Sequence, residues 1–197
     1  MPADPDGNLW VIEYGSVAKV STAGVMTLYP LLTGGGWVAI APGPDGNIWF
    51  SENNTIGYVT PSGIVTELPG TTFSSMIFLN GIVTGPDGAL WLTAGFTSNL
   101  GRLTTTGQLT NTYALSKGSG PNFNTLGPDG AVWFTESLAN SIGRIGVTGA
   151  VTSYSIPTQR IGTGKMALAI CISTNSPFVR KVNQPFERRT DRWERRH

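Results

Sequence analysis

The sequence predicts an all-β chain built from four copies of one antiparallel, four-stranded unit, and three observations carry that prediction. Pro-Asp-Gly recurs at 5–7, 44–46, 86–88 and 128–130 of the 197 residues, at intervals of 39, 42 and 42. A tryptophan follows each of these glycines by three residues: Trp10, Trp49, Trp91 and Trp133. Each tryptophan is followed by a second shared phrase, VAKVSTAG (17–24), IGYVTPSG (56–63), LGRLTTTG (100–107) and IGRIGVTG (142–149), and then by a third, VMTLYPL, IVTELPG, QLTNTYAL and AVTSYSIP.

Taken in order, each unit reads as strands a, b, c and d. Strand a is the apolar stretch before the turn: 37–42 (WVAIAP), 76–84 (MIFLNGIVT) and the weaker 122–126 (NFNTL). The first unit begins at its a–b turn and has no such stretch. Pro-Asp-Gly suits a tight a–b turn, because proline presets φ, aspartate bonds local backbone and glycine accepts positive φ. Strand b, as in 48–52 (IWFSE), is rich in the aromatic and β-branched residues that strands favour. Thr60, Pro61, Ser62 and Gly63 make a comparable turn between c and d. Strand d alternates, as in 64–68 (IVTEL), which suits an outer strand with one wet face.

Composition agrees. Hydrophobic residues at 40% exclude a disordered chain, and 26 glycines with only 13% charged residues suit a strand-and-turn protein. No helical pattern separates the strands, which argues against a parallel α/β fold. A β-sandwich would leave the regular phasing without a cause. Four-stranded units spaced at about 40–45 residues point to the blades of a β-propeller. Four units form either a small closed ring or an incomplete arc of a larger one. An arc leaves apolar blade faces open at both ends, and these predict self-association through open blade edges, or low stability.

The pattern stops after Pro157, which divides the chain into propeller repeats at 1–157 and a non-repeat basic tail at 158–197. The first part holds four basic and nine acidic residues, the second nine basic and three acidic. Residues 166–172 would serve as a fifth strand a, but no Pro-Asp-Gly or tryptophan phrase follows them. The terminal ERRTDRWERRH suits either a solvated tail or an acidic surface such as nucleic acid, the latter the weaker expectation. A shifted reading frame would also produce so abrupt a change. Cys171 is the only cysteine, so no internal disulfide forms. The start, MPADPDG, lacks the features of a signal peptide, and no apolar run reaches the ~18 residues of a membrane span. The expectation is a cytoplasmic chain without a membrane partner.

The units GPDGNIWFSENNTIGYVTPSGIVTELP (43–69) and GPDGAVWFTESLANSIGRIGVTGAVTSYSIP (127–157) resemble the repeats of the virginiamycin B lyase (streptogramin B lyase) family. The resemblance covers about residues 4–157. It implies a seven-bladed propeller and a magnesium (Mg) site on one face, where histidine and glutamate open a cyclic depsipeptide antibiotic by elimination. The present chain has about four of those units, so the resemblance makes it an incomplete arc of such a ring. The family often places histidine at the start of strand a. Those slots here hold Val38, Asn80 and Asn122, and the only histidine is His197. None of the three can shuttle a proton near neutral pH as histidine does. No catalytic residue carries over. The expectation is a lyase-like segment, non-catalytic as it stands and at most a ligand- or partner-binding scaffold. The alternative is a lyase represented by its N-terminal blades. A sugar-lactone hydrolase or an NHL-type interaction propeller fits the WFTE and IGR phrases less well.

Up-down connectivity puts the start of strand a and the end of strand b on one rim. Asn80, Asn122, Glu52 and Glu136 therefore share a face, with Glu13 similar, while Ala94 breaks the series of carboxylates. They read either as a polar ligand or cation site at the channel mouth or as repeat consensus satisfying turns between blades. Trp37, beside the glycines at 34–36, departs from the repeat at a strand-a entry and is the single best candidate for a ligand contact. The strand-b tryptophans suit packing wedges between blades better than stacking platforms. The Pro-Asp-Gly aspartates suit turns better than calcium loops, since EF-hand spacing is absent.

Overall fold

The structure is a computed structural model describing residues 7–32, 38–52, 54–68, 75–76 and 78–157. Within these, four separate antiparallel sheets follow one another along the chain. Blade I has three strands, β1 (Leu9–Glu13), β2 (Ser16–Val20) and β3 (Met26–Pro30). Blade II has β4 (Val38–Pro42), β5 (Ile48–Glu52), β6 (Thr55–Val59) and β7 (Val65–Glu67). Blade III has β8 (Leu79–Thr84), β9 (Leu90–Ala94), β10 (Asn99–Leu103) and β11 (Leu109–Ala114). Blade IV has β12 (Pro121–Leu126), β13 (Val132–Glu136), β14 (Ser141–Ile145) and β15 (Val151–Ser155). Strand order within each sheet is the order of the sequence, as short turns require. The a-strands β4, β8 and β12 lie beside one another, and β15, a d-strand, is exposed along its length. The blades thus stand around an axis with strand a innermost, the arrangement of an all-β propeller. Residues 158–197, including the suggested fifth strand a, lie outside the described residues.

The core lies between blades, because alternate residues of each strand b face opposite neighbours. Trp10 packs with Ile48 and Phe50 of blade II. Trp49 packs with Leu90 and Leu92 of blade III, and Trp91 with Val132 and Phe134 of blade IV. These three tryptophans are 0%, 0% and 1% exposed, whereas Trp133, with no fifth blade described beyond it, is only partly buried. Each tryptophan stacks or tilts against a tyrosine of its own blade: Tyr29, Tyr58, Tyr113 and Tyr154, at 5.0 to 5.6 Å between centroids.

The glycine of the IGY and IGR phrases has a steric cause. In register, Phe50 pairs with Gly57 and Phe134 with Gly143. The phenyl ring lies over the glycine so closely that a Cβ on Gly57 would come 2.4 Å from the ring of Phe50.

The aspartate of the turn does more than shape it. Asp87 Oδ1 accepts the Trp91 indole N–H at 3.2 Å and the Ala89 amide at 3.3 Å, and Oδ2 accepts Arg102 Nε at 2.7 Å. Asp129 repeats this with Trp133, Ala131 and Arg144 at 3.0, 3.2 and 2.7 Å. In blade II, where Tyr58 takes the arginine position, Asp45 keeps the indole of Trp49 and the amide of Asn47. The Trp133 indole and the Arg144 guanidinium hold the Asp129 carboxyl down at about 2, below its ordinary 3.8. Burial pushes the Asp87 carboxyl up, but the hydrogen bonds from Arg102, Trp91 and Ala89 outweigh it and leave the group lowered. A carboxyl lowered in the folded state stabilises the fold above its unfolded pKa and loses that contribution as pH falls. Stability is therefore expected to fall as the pH drops from 3.8 toward about 2, read from urea midpoints at each pH. The double variant Asp87→Asn/Asp129→Asn is expected to flatten that acid limb, and an unchanged limb would assign it to other groups.

Candidate functional site

The rim opposite the Pro-Asp-Gly turns is formed by the starts of the a-strands and the loops joining b to c. Asn80, second in β8, is half-buried and donates from Nδ2 to the Pro121 carbonyl of blade IV at 3.5 Å. Asn122 lies at the equivalent end of β12, half-buried, and its main-chain carbonyl accepts the Thr93 hydroxyl. Glu52 and Glu136 end β5 and β13, and each is 3% exposed. Glu136 shares its strand face with Val132 and Phe134, so it points into the seam with blade III. Glu52 shares its face with Ile48 and Phe50, in the seam with blade I. The four residues thus occupy one rim, but the two carboxylates lie in different seams, with Ala94 between them. Oε2 of Glu136 has no hydrogen-bond partner among the described residues. Glu13, which no blade covers among the described residues, is exposed. Trp37 lies outside the described residues.

A pocket of about 440 Å³ opens on this rim in the seam between blades III and IV. It is lined by Phe78, Asn80, Phe96, Ser98 and Leu138, together with Ser137 and the backbone of Gly95, Gly118 and Gly120. Phe78 and Phe96 lie 5.9 Å apart between centroids and are 52% and 74% exposed, and Leu138 is 64% exposed. The backbone of Phe78 has φ +58°, a left-handed conformation rare for a bulky residue. Two hydrogen bonds hold it there. Its N–H donates to Asn54 Oδ1 at 3.1 Å, and its carbonyl accepts the Gly95 N–H at 2.9 Å. Strain of this kind persists where surrounding structure fixes it, and here it turns an aromatic ring toward the pocket. Of the residues the sequence singled out, Asn80 lines the pocket; Asn122, Glu52 and Glu136 do not. Phe78, Phe96 and Leu138 were not singled out. The signal available was a large apolar residue in two b–c loops, where blade II has polar Asn54.

The arrangement suits an apolar or aromatic ligand face with an amide to orient it. It does not suit a metal. Among the described residues no three of His, Cys, Asp and Glu come together to hold an ion, and the rim carboxylates are divided between seams. The donor set for the magnesium implied by the resemblance is therefore not assembled by the described residues.

These features define a class of protein: an arc of propeller blades bearing a rim pocket between neighbouring sheets. The chain belongs to the virginiamycin B lyase family, whose model matches residues 1–168. It is similar to the crystal structure of virginiamycin B lyase from Staphylococcus aureus, with a TM-score of 0.73 and 32% identity over 80% of this chain and 55% of that one. A streptogramin B lyase structure gives 0.72 and 36%, over 80% and 54%. A catalytically inactive variant of the Staphylococcus aureus lyase with quinupristin gives 0.71 and 37%, over 80% and 55%. The chain thus spans about half the length of these relatives. Comparison with curated proteins finds no match.

Proposed function

We propose that this chain is a binding arc of the lyase family, a scaffold that holds a cyclic depsipeptide of the streptogramin B type without opening it. The observation that carries the reading is the aromatic rim pocket with Asn80 at its side, in a chain whose only histidine is His197. Opening such a ring by elimination needs a base to take a proton. Phe78, Phe96 and Leu138 supply contact area for apolar side chains of the ligand, and Asn80 supplies an amide to its backbone.

Calorimetric titration with quinupristin, the compound in the inactive relative's structure, tests this. Saturable binding without added magnesium is expected, with the ligand recovered intact by mass spectrometry. Phe96→Ala is expected to weaken binding about tenfold, the equivalent of one good aromatic contact. No heat of binding, or no effect of Phe96→Ala, would remove the pocket from the reading. A second reading rests on identities of 32–37% to the solved lyases. On it, the chain supplies the N-terminal blades of a magnesium-dependent lyase that inactivates the antibiotic. Linearised product from this chain with magnesium would establish that reading and displace the first.

A further inference from the structure

Each junction between successive blades repeats two contacts, and among the described residues blade I and blade IV each keep one half of each contact without its complement. The first contact is the tryptophan seam. Trp10 is covered by Ile48, Phe50, Val59 and Val65 of blade II. Trp49 is covered by Leu90, Leu92, Leu103 and Leu109 of blade III. The second is a knob and hole at the outer margin. Tyr29 of blade I lies against Gly63 in the c–d turn of blade II, where an added Cβ would come 2.3 Å from its ring. Leu68 lies likewise against Gly107 at 3.0 Å, and Tyr113 against Gly149 at 2.4 Å.

At the far end, Tyr154 is a knob with no hole among the described residues, 48% exposed and stacked on the partly buried Trp133. At the near end, Gly24 is the same turn glycine of blade I, and a Cβ there would meet nothing within 4 Å. Beside it, Leu9, Val11, Val20 and Met26 occupy the positions of Leu90, Leu92, Leu103 and Leu109. The register matches: Met26 pairs with Val20 as Leu109 pairs with Leu103. Met26 is 53% exposed; the equivalent Val65 and Leu109 are only partly exposed and pack on the neighbouring blade, while Val151, equivalent in blade IV, is 38% exposed.

We propose that a second copy of this chain docks the outward face of its blade I onto the outward face of blade IV. Tyr154 then lies over Gly24 of the second copy, and Trp133 is covered by Leu9, Val11, Val20 and Met26 of that copy. The occupant is a second copy because the knob at Tyr154 and the hole at Gly24, neither filled among the described residues, are each other's complement, in the register the chain already uses three times. The two faces differ, so the contact is head-to-tail, giving a ring if the curvature closes and a longer array if it does not.

Sedimentation of the full chain over about a hundredfold concentration range tests this, since association follows mass action. The weight-average mass is expected to rise from that of one chain to twice that or more. Tyr154→Asp and Met26→Asp alter exposed side chains, so each variant is expected to keep the far-ultraviolet spectrum of the parent while its apparent Kd rises at least about tenfold. Each variant keeps one intact face, so mixing the two is expected to restore association and stop it at two chains. A parent that stays monomeric throughout would overturn the proposal, and so would a partner of another kind being needed to raise the mass. Variants that associate like the parent, or a mixture that stays monomeric, would overturn it equally, since pairing of like faces or another surface would then be responsible.

Discussion

Trp91→Ala is expected to cost the fold about 3–5 kcal/mol, the range for losing a large aromatic side chain from a closed core. Trp133→Ala, at the same place in the next repeat, is expected to cost less than half as much. The two residues share their strand, their register and their hydrogen bond to an aspartate. They differ in what lies across from them. Trp91 is 1% exposed against Val132 and Phe134, while Trp133 is only partly buried on the outward face of blade IV. Most of the energy of such a side chain comes from apolar area removed from water, and a side chain already partly solvated leaves no closed cavity when cut back, so half a seam yields less than half the effect. The measurement is urea unfolding followed by far-ultraviolet circular dichroism, at a concentration where the chain sediments as a monomer. Equal losses would show that strand-b tryptophans act within their own sheet and are not wedges between sheets.

Gly143→Ala is the second large effect. Its Cβ would stand 2.1 Å from Cε2 and Cζ of Phe134, a ring that is itself 0% exposed and has nowhere to go. Overpacking of this kind costs about 1–3 kcal/mol. Gly146→Ala, three residues on, is the control, since its Cβ would meet only Thr148 Oγ1 at 3.9 Å. Placed on a Phe134→Leu background, Gly143→Ala is expected to lose much of its cost, because the ring it collides with is gone. A double-mutant cycle measures that coupling, and strictly additive losses would assign the glycine a backbone role.

Both experiments probe features written in the repeat. The sequence predicted the strands, their order and the turns between them because each depends on nearby residues: alternation for the strands, proline and glycine for the turns. Among the described residues, β1 to β3 of blade I form a three-stranded sheet. The weak stretch at 122–126 formed its strand, with a shift of register between Pro121 and Asn124 that the pattern did not contain. The Asp–Trp–Arg clusters were present as constant spacings, 87, 91 and 102 against 129, 133 and 144, yet proline-rich turns offered a sufficient reason for the aspartate alone.

The rim was less legible. Connectivity placed Asn80, Asn122, Glu52 and Glu136 on one side, but not the depth of each. Depth depends on which neighbour a strand face meets, and a strand's alternation does not say which of its two faces meets which blade. Phe78, Phe96 and Leu138 converge from two different blades, so no local pattern announces them.

By itself, then, the sequence determined the architecture: a short antiparallel sheet repeated four times, with family phrases that the match over 1–168 bears out. Tertiary structure decided what the repeats enclose and what they leave open. Two seams swallow Glu52 and Glu136, one seam widens into a pocket, and Trp133 is only partly buried. The physical reason is that identical local chemistry acquires its environment from the blade beside it, and that neighbour is a property of position in the arc.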